Sequence, residues 1–234
     1  MIVLRKSDQR GHTKLPWLDS RHTFSFADYR DPAYINFGPL RVMNEDWIAP
    51  ASGFPTHGHQ DMEIVTYIIS GALSHRDSLG TGSTIEAGEI QRMSAGTGIQ
   101  HSEFNASRDT PVHLLQIWFL PAHQRTTPSY EQKRFEPGKN ALQTVVVPRT
   151  HAAKTPHAVS VDQDLTLYAG HFDAGASTQH ILAPGRRAWV QLVAGALEVN
   201  GVTLAAGDGA ALTEEATLSL KATAFSEVLV FDLP

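Results

Sequence analysis

The sequence predicts an all-β fold, and three observations lead to that prediction. Apolar residues occur in short runs rich in β-branched and aromatic side chains, which favour strands. Clusters of Gly, Asn, Asp and Pro separate these runs at spacings suited to the turns of a sandwich or barrel. No segment shows an apolar stripe of helical period with caps over more than two turns. We therefore expect strands joined by turns.

Five apolar runs are predicted strands, and four clusters between them are predicted turns. The strands begin at Met62 (MEIVTYIIS), Val112 (VHLLQIWFL), Ala141 (ALQTVVV), Ala188 (AWVQLVAGALEV) and Glu227 (EVLVFDL). The turns lie at Ser78–Gly82, Glu136–Asn140, Asn200–Gly201 and Ala206–Gly209. The polar, proline-containing stretch from Pro121 to Asn140 is predicted to connect two β units, with a short helix at Tyr130–Phe135. The predicted domains are residues 1–130 and 131–234.

The two predicted units are similar in sequence. Gly71-Ala72-Leu73 in the first is echoed by Gly195-Ala196-Leu197 in the second, and each is followed by an Ala-Gly-acid turn, which ends at Glu89 and at Asp208. The two motifs are closer together in the second unit, which predicts a shorter hairpin there. Since several matches occur in the same order, we interpret them as a duplication. The alternative is turn chemistry that any two β domains share.

Composition restricts the possible functions. The chain has 234 residues, 24 acidic against 19 basic side chains and a net charge of −5, which argues against direct binding of nucleic acid. It contains no cysteine, so any metal must be bound by nitrogen and oxygen. No apolar segment suits a membrane span or a leader peptide. We expect a cytoplasmic protein that is a monomer.

Two short motifs contain candidate metal ligands. His57 and His59 are two residues apart, as are His101 and Glu103, so that within a strand each pair would project from one face. About 0.6 His-x-His pairs are expected by chance at this histidine content, so one pair alone means little. Two pairs beside glycine-rich turns could surround a common point. Three imidazoles and a carboxylate suit Fe, Mn, Co, Ni, Cu or Zn, with positions left open for substrate or dioxygen.

These motifs resemble the two cupin motifs in the form that pirins have. The spacing Gly53-x₃-His57-x-His59-x₃-Glu63-x₇-Gly71 resembles the first motif, and Gly88-x₅-Ser94-Ala-Gly96-x₄-His101-x₃-Asn105 resembles the second. The segments WLDSRHTFSF from Trp17, FGPLRVMNED from Phe37 and HLLQIW from His113 are similar to the pirin signature. The resemblance covers essentially the whole chain and is closest to bacterial pirins described as quercetin dioxygenases.

The resemblance implies a bicupin fold, which is two double-stranded β-helix (jelly-roll) barrels in one chain. It also implies one divalent transition metal ion bound by His57, His59, His101 and Glu103, with Fe²⁺ favoured and Mn, Ni, Co, Cu or Zn as alternatives. Glu63 stands where many other cupins keep their carboxylate ligand, and strand geometry leaves it as an alternative to Glu103. Matching the two repeats puts no ligand set in the second unit, where Leu220 stands opposite His101 and Ala222 opposite Glu103.

The activity that the resemblance implies is a dioxygenase that uses O₂ to open the oxygen-bearing ring of a flavonol such as quercetin. Glu103 would accept the proton of the 3-hydroxyl group, and activity would fall as the pH drops through the imidazole range near 6.5. One alternative is a metal-dependent, redox-sensing regulatory protein that binds a protein partner. Another is a cupin isomerase. His22 and His113 are interpreted as packed structural residues.

Overall fold

The structure, a computed structural model, describes all 234 residues. They form 23 β-strands and two 3₁₀ helices, Ser7–Gln9 and Arg149–Lys154, joined by turns and loops. The first twelve strands are β1 (Ile2–Arg5), β2 (Gly11–Leu15), β3 (Leu18–His22), β4 (Leu40–Ile48), β5 (Gly53–His59), β6 (Glu63–Ser70), β7 (Ala72–Asp77), β8 (Gly82–Glu86), β9 (Glu89–Ser94), β10 (Ile99–Asn105), β11 (Val112–Phe119) and β12 (Ser129–Arg134). The others are β13 (Gly138–Lys139), β14 (Gln143–Pro148), β15 (Val159–Val161), β16 (Thr166–Phe172), β17 (Ser177–Ile181), β18 (Arg187–Ala194), β19 (Ala196–Val199), β20 (Val202–Ala205), β21 (Gly209–Leu212), β22 (Thr217–Ala222) and β23 (Ser226–Leu233).

The five predicted strands are all present, and the run from Ala188 forms two strands, β18 and β19, with a turn at Gly195 between them. The predicted short helix at Tyr130–Phe135 is wrong. This segment is strand β12, which pairs only with β9 in its sheet. None of the helices in the structure is long and apolar enough to cross a membrane.

The chain forms two compact units that are not continuous in sequence. The unit named here the N-terminal unit contains residues 11–135 and 149–163, and the C-terminal unit contains residues 1–10, 136–148 and 164–234. The domains predicted from the sequence, residues 1–130 and 131–234, are each one continuous segment. These domain boundaries stay a prediction. The compact units differ from them because β1 pairs with β21 in the sheet of the C-terminal unit.

The N-terminal unit contains two sheets. One has the strand order β12-β9-β6-β11-β4-β3-β2 and the other β5-β10-β7-β8. Apolar side chains from both sheets, among them Ile48, Leu73 and Leu114, form one buried cluster. Alternate residues of β3 and β4 face the interior, and several of these are polar. The unit therefore has a partly apolar and partly polar interior.

The C-terminal unit repeats this arrangement around a large apolar core. Its sheets have the orders β1-β21-β18-β23-β16-β14 and β17-β22-β19-β20. Side chains of β16 to β23, including Val190, Leu220 and Val230, form its buried core. Buried polar residues of this unit include Gln191, Asp208 and Ser226.

The strand pairings confirm the predicted similarity of the two units. In the N-terminal unit β11 lies between β6 and β4, and β10 lies between β5 and β7. In the C-terminal unit β23 and β22 have the same neighbours at equivalent positions, β18 and β16 for the first and β17 and β19 for the second. The hairpin β19–β20 is shorter than β7–β8, as predicted. The chain therefore has the predicted bicupin fold.

Candidate metal centre

Strands β5 and β10 bring three histidines together in the N-terminal unit. The strands are antiparallel neighbours, and their register places His101 opposite His57. His59 follows two residues after His57, so its side chain lies on the same face. The ring centroids of His57 and His101 are 4.4 Å apart, and those of His59 lie 4.8 Å from His57 and 4.9 Å from His101. The two histidine motifs therefore meet in space.

The ring nitrogens of this cluster are arranged as metal donors. Nε2 of His57 lies 3.0 Å from Nε2 of His101. Nδ1 of His57 donates its hydrogen to the carbonyl oxygen of Pro55 at 2.8 Å, so the lone pair of the neutral ring is at Nε2. Metal-binding histidines usually donate their other N–H in this way. One potential ligand atom from each of the three rings lies within 4.8 Å of the other two, which fits a divalent transition metal.

The protonation state of the rings suits the same role. Burial lowers the pKa of His59 to about 4, and repulsion from His57 adds to this effect. Burial, together with repulsion from the neighbouring imidazoles, lowers the pKa of His101 to about 2. Both rings are therefore neutral at pH 7, which is the form that binds metals.

Glu103 lies beside His101 on the interior face of β10. The pairing of β10 with β7 is continuous. The pairing of β10 with β5 contains a bulge, in which β5 has one extra residue between Phe54 and His57. Nε2 of Gln116 donates to both carboxylate oxygens of Glu103, at 3.1 and 3.0 Å. Burial raises the pKa of Glu103 to about 7. The carboxyl group can therefore gain or lose a proton near neutral pH.

The predicted four residues form two overlapping groups. The first group is His57, His59 and His101, and the second joins His101 and Glu103 to His75. Sequence reasoning assigned no role to His75. It lies opposite Glu103 in the register of β7 and β10, and its Nε2 is 3.0 Å from Asp77. In the sequence, the signal that could have indicated a role for His75 was its position two residues before Asp77. This pattern is too common to identify a site by itself.

Glu63, the alternative carboxylate ligand, belongs to neither group. The hydroxyl of Ser94 donates to it at 2.7 Å, and Arg149 is paired with it at 3.6 Å. Burial raises the pKa of Glu63. The hydrogen-bond and ion-pair partners of Glu63 are therefore Ser94 and Arg149. Glu103, by contrast, is grouped with His101.

A cavity of about 380 Å³ lies against the cluster, and this volume is within the range of small-molecule sites. His57, His59 and Glu103 form part of its lining. Apolar and aromatic side chains form another part, and Trp118 packs edge-on against His59 with a ring separation of 4.8 Å. The apolar part includes Leu18, Phe26, Phe54 and Trp118. The arrangement can hold a flat, largely apolar ligand beside a metal ion.

The remaining predictions about histidines have different outcomes. His113 is packed as predicted, because its ring stacks on Trp47 with centroids 4.1 Å apart. His22 is buried in β3 and also lines the cavity, a position that the sequence pattern did not indicate.

In the C-terminal unit, β22 places Leu220 opposite Thr178 of β17. Both groups of three or more potential ligands lie in the N-terminal unit.

Two barrels of cupin type, one of them with a cluster of histidines on adjacent strands, define a bicupin protein. The family model described as Pirin matches residues 3–119, and the model described as quercetinase C-terminal cupin domain matches residues 151–233. The chain belongs to the pirin family, as its sequence motifs predicted.

Relatives and solved structures cover the whole chain. A protein named quercetin 2,3-dioxygenase from Escherichia coli K12 is 45% identical, with 100% of this chain and 99% of the relative covered. A pirin-like protein from Caulobacter vibrioides is 38% identical, with 99% of each chain covered. The crystal structure of the E. coli pirin YhhW in complex with nickel(II) has a TM-score of 0.94 and 45% identity, and covers 100% of this chain and 99% of that one.

Proposed function

We propose that this protein is a metal-dependent dioxygenase that opens the oxygen-bearing ring of a flavonol such as quercetin. The observation that carries the proposal is the cluster of His57, His59 and His101 beside a buried Glu103 in a cavity of suitable size. The name of the E. coli relative at 45% identity supports the same activity. The nickel(II) complex of YhhW supports metal binding by this fold.

The residues that would hold the metal are His57, His59, His101 and Glu103. The imidazoles of His59 and His101 are neutral at pH 7, Nε2 of His57 lies beside Nε2 of His101, and the carboxylate adds one negative charge. A divalent transition metal in this position supplies a Lewis acid with open coordination positions for a chelating substrate and O₂. We favour Fe²⁺, with Mn, Ni, Co, Cu and Zn as alternatives, because a donor set of three nitrogens and one oxygen discriminates poorly among these ions.

Glu103 is the proposed base in the reaction. Burial beside the histidine cluster raises the pKa of the Glu103 carboxyl group in the metal-free chain, and this favours a carboxylate at that position as the acceptor of the proton of the 3-hydroxyl group of a flavonol. Gln116 donates to both of its oxygens, and the hydroxyl of Thr66 donates to Oε1 of Gln116 at 2.9 Å. This chain of hydrogen bonds fixes the carboxylate in position. The overall reaction consumes one flavonol and one O₂ and releases carbon monoxide and a depside.

Oxygen uptake by reconstituted protein tests the proposal. Protein purified without oxygen is loaded separately with Fe²⁺, Mn²⁺, Ni²⁺ or Zn²⁺ and mixed with quercetin and O₂. We expect O₂ uptake matched by loss of flavonol absorbance for at least one ion, and none for His101→Ala. His123→Ala is the matched control, since His123 is an exposed histidine that pairs with Asp162. Tight metal binding without uptake for any ion would refute the dioxygenase and favour a metal-dependent regulatory protein.

A further inference from the structure

One wall of the cavity contains polar side chains whose hydrogen-bonding capacity is not used up within the chain. Asn44 and Asp46 are successive interior-facing residues of β4, opposite His22 and Ser20 of β3. Both are buried, with 4% and 3% exposure, and both line the cavity. A buried polar atom without a partner is costly unless water or a ligand supplies one. This wall is therefore suited to recognise polar groups of a ligand.

His22 fixes the orientation of the Asn44 amide. Nδ1 of His22 lies 2.8 Å from Oδ1 of Asn44, and Nε2 lies 2.9 Å from the hydroxyl of Thr13. An amide oxygen can only accept, so Nδ1 of His22 donates and its Nε2 accepts from Thr13. The amide oxygen of Asn44 is thus engaged. Its NH₂ group makes no hydrogen bond within the chain and is available as a donor in the cavity.

Ser20 fixes the carboxyl group of Asp46 in a similar way. The Ser20 hydroxyl donates to Oδ1 of Asp46. Oδ2 of Asp46 has no hydrogen-bond partner within the chain and is available to a ligand in the cavity. Since the side chains at positions 44 and 46 project from the same face of β4, a donor and an acceptor lie side by side on this wall.

We propose that Asn44 and Asp46 form a recognition subsite for a phenolic hydroxyl group. A hydroxyl is both an acceptor and a donor, so it can accept from the Asn44 amide and donate to the Asp46 carboxyl. The aromatic faces of Phe26 and Trp118 in the same lining can pack against the ring that carries it. The ligand class is a polyhydroxylated phenolic compound with one chelating end at the histidine cluster and a further hydroxyl at this pair. The assignment of a flavonol rests on the proposed function, whereas the subsite does not require turnover.

Equilibrium binding without O₂ tests the subsite. The probes are quercetin and 3-hydroxyflavone, which has the chelating group but no further hydroxyls, titrated into the nickel-loaded protein and followed by ligand absorbance. We expect the wild type to bind quercetin about tenfold more tightly. Asn44→Leu should lose most of this preference while its affinity for 3-hydroxyflavone stays within about twofold. Asp46→Asn, which keeps the side-chain shape, should reduce the preference as well.

The controls separate this proposal from others. Asn36→Leu replaces an asparagine whose amide bonds to Gly38 outside the cavity, and it should leave the preference unchanged. Unaltered affinity of Asn44→Leu for 3-hydroxyflavone shows that the variant is folded. Equal binding of the two probes by the wild type, or equal loss of both in Asn44→Leu, would overturn the subsite. Selective binding by the nickel-loaded protein, together with no oxygen uptake for any of the four ions in the separate activity test, would support the subsite and refute the dioxygenase. Turnover without selectivity would do the reverse.

Discussion

Glu103 and its neighbouring histidines respond to burial in opposite directions. Burial raises the pKa of the Glu103 carboxyl group to about 7 and lowers the pKa values of His59 and His101 to about 4 and about 2. In the metal-free protein at pH 6, the carboxyl group is therefore protonated and these two imidazoles are not. Glu103 therefore holds a proton that competes with a metal ion at this pH, whereas His59 and His101 do not. The sequence pattern had placed the competing protons on the imidazoles, near pH 6.5.

This difference predicts the pH dependence of metal binding. As the pH falls below 7, Glu103 takes up a proton that the metal must displace, so the affinity of the wild type for Ni²⁺ should fall about tenfold per pH unit. Glu103→Gln should bind more weakly at pH 8 and should show a shallower pH dependence, because the proton that Glu103 takes up is absent. Calorimetric titrations at several pH values measure this. An equally steep dependence in the variant would contradict the assignment.

The two glutamates near the cluster should differ in their effect on turnover. Glu103→Gln removes the proposed base and should lower kcat by about 100-fold or more. Glu63→Gln leaves the contacts of Glu103 with Gln116 in place and should keep turnover close to that of the wild type. It alters the pair with Arg149, so a lower melting temperature is expected. Measurement of kcat together with bound metal per chain distinguishes the two residues, and normal turnover by Glu103→Gln would reject it as the base.

At the scale of single residues, the sequence predicted the metal cluster better than the cavity. His57 and His59, and His101 and Glu103, stand at spacings that indicate ligands, and period-2 geometry places each pair on one face of its strand. The pairing of β5 with β10 then brings the two pairs together. His75 and Asp77, like Asn44 and Asp46, are also two residues apart, but these pairs do not match a known metal-binding motif. His75, Asn44 and Asp46 face the site because of the register of β7 with β10 and of β4 with β3, and register cannot be obtained from one sequence.

Strand β12 shows where local propensity misleads. Its residues, SYEQKR, include Glu, Gln, Lys and Arg, which favour helices. The segment is nevertheless a strand because β9 offers a free edge, and the pairing runs from Ser129 with Ser94 to Arg134 with Glu89. Ion pairs of Glu131 with Arg92 and of Arg134 with Glu89 support the pairing. Tertiary contacts therefore override propensity here.

Two glycines in the C-terminal unit give a prediction about elements. Gly195 joins β18 to β19 with φ +89°, and a Cβ there would lie 1.8 Å from the carbonyl oxygen of Phe225. Gly201 has φ +82° in the next turn, but a Cβ there would meet nothing within 4 Å. Gly195→Ala should lower the free energy of unfolding by about 3 kcal/mol or more, and Gly201→Ala by about 1 kcal/mol. Denaturant unfolding measures both, and equal effects would contradict the steric argument.

The sequence predicted the overall fold more completely than it predicted the individual strands or the residues of the cavity. Short β-branched runs, glycine turns and a repeated order of motifs predicted two similar barrels, and the matching strand pairings confirm them. The sequence repeat did not indicate that residues 1–10 belong to the C-terminal unit and residues 149–163 to the N-terminal unit. This arrangement depends on long-range pairing, such as that of β1 with β21.

Metal binding should stabilise the whole molecule. At a free metal concentration about 100 times Kd, binding to the folded chain alone adds about 2.7 kcal/mol to the free energy of unfolding. For a chain of this size that is a rise in melting temperature of about 5–10 °C. Scanning calorimetry with and without Ni²⁺ measures the rise. His101→Ala should show none, whereas an undiminished rise in that variant would place the metal elsewhere.

The pairing of β1 with β21 has a consequence for synthesis on the ribosome. Residues Ile2 to Arg5 are made long before their partners, Leu212 to Gly209. At about 5–20 residues per second, the first strand waits roughly 10–40 s for its partner. During that time its backbone donors and acceptors can pair with other strands, including those of neighbouring nascent chains. Strand β1 can thus reach its final place only after β21, far later in the sequence, has left the ribosome.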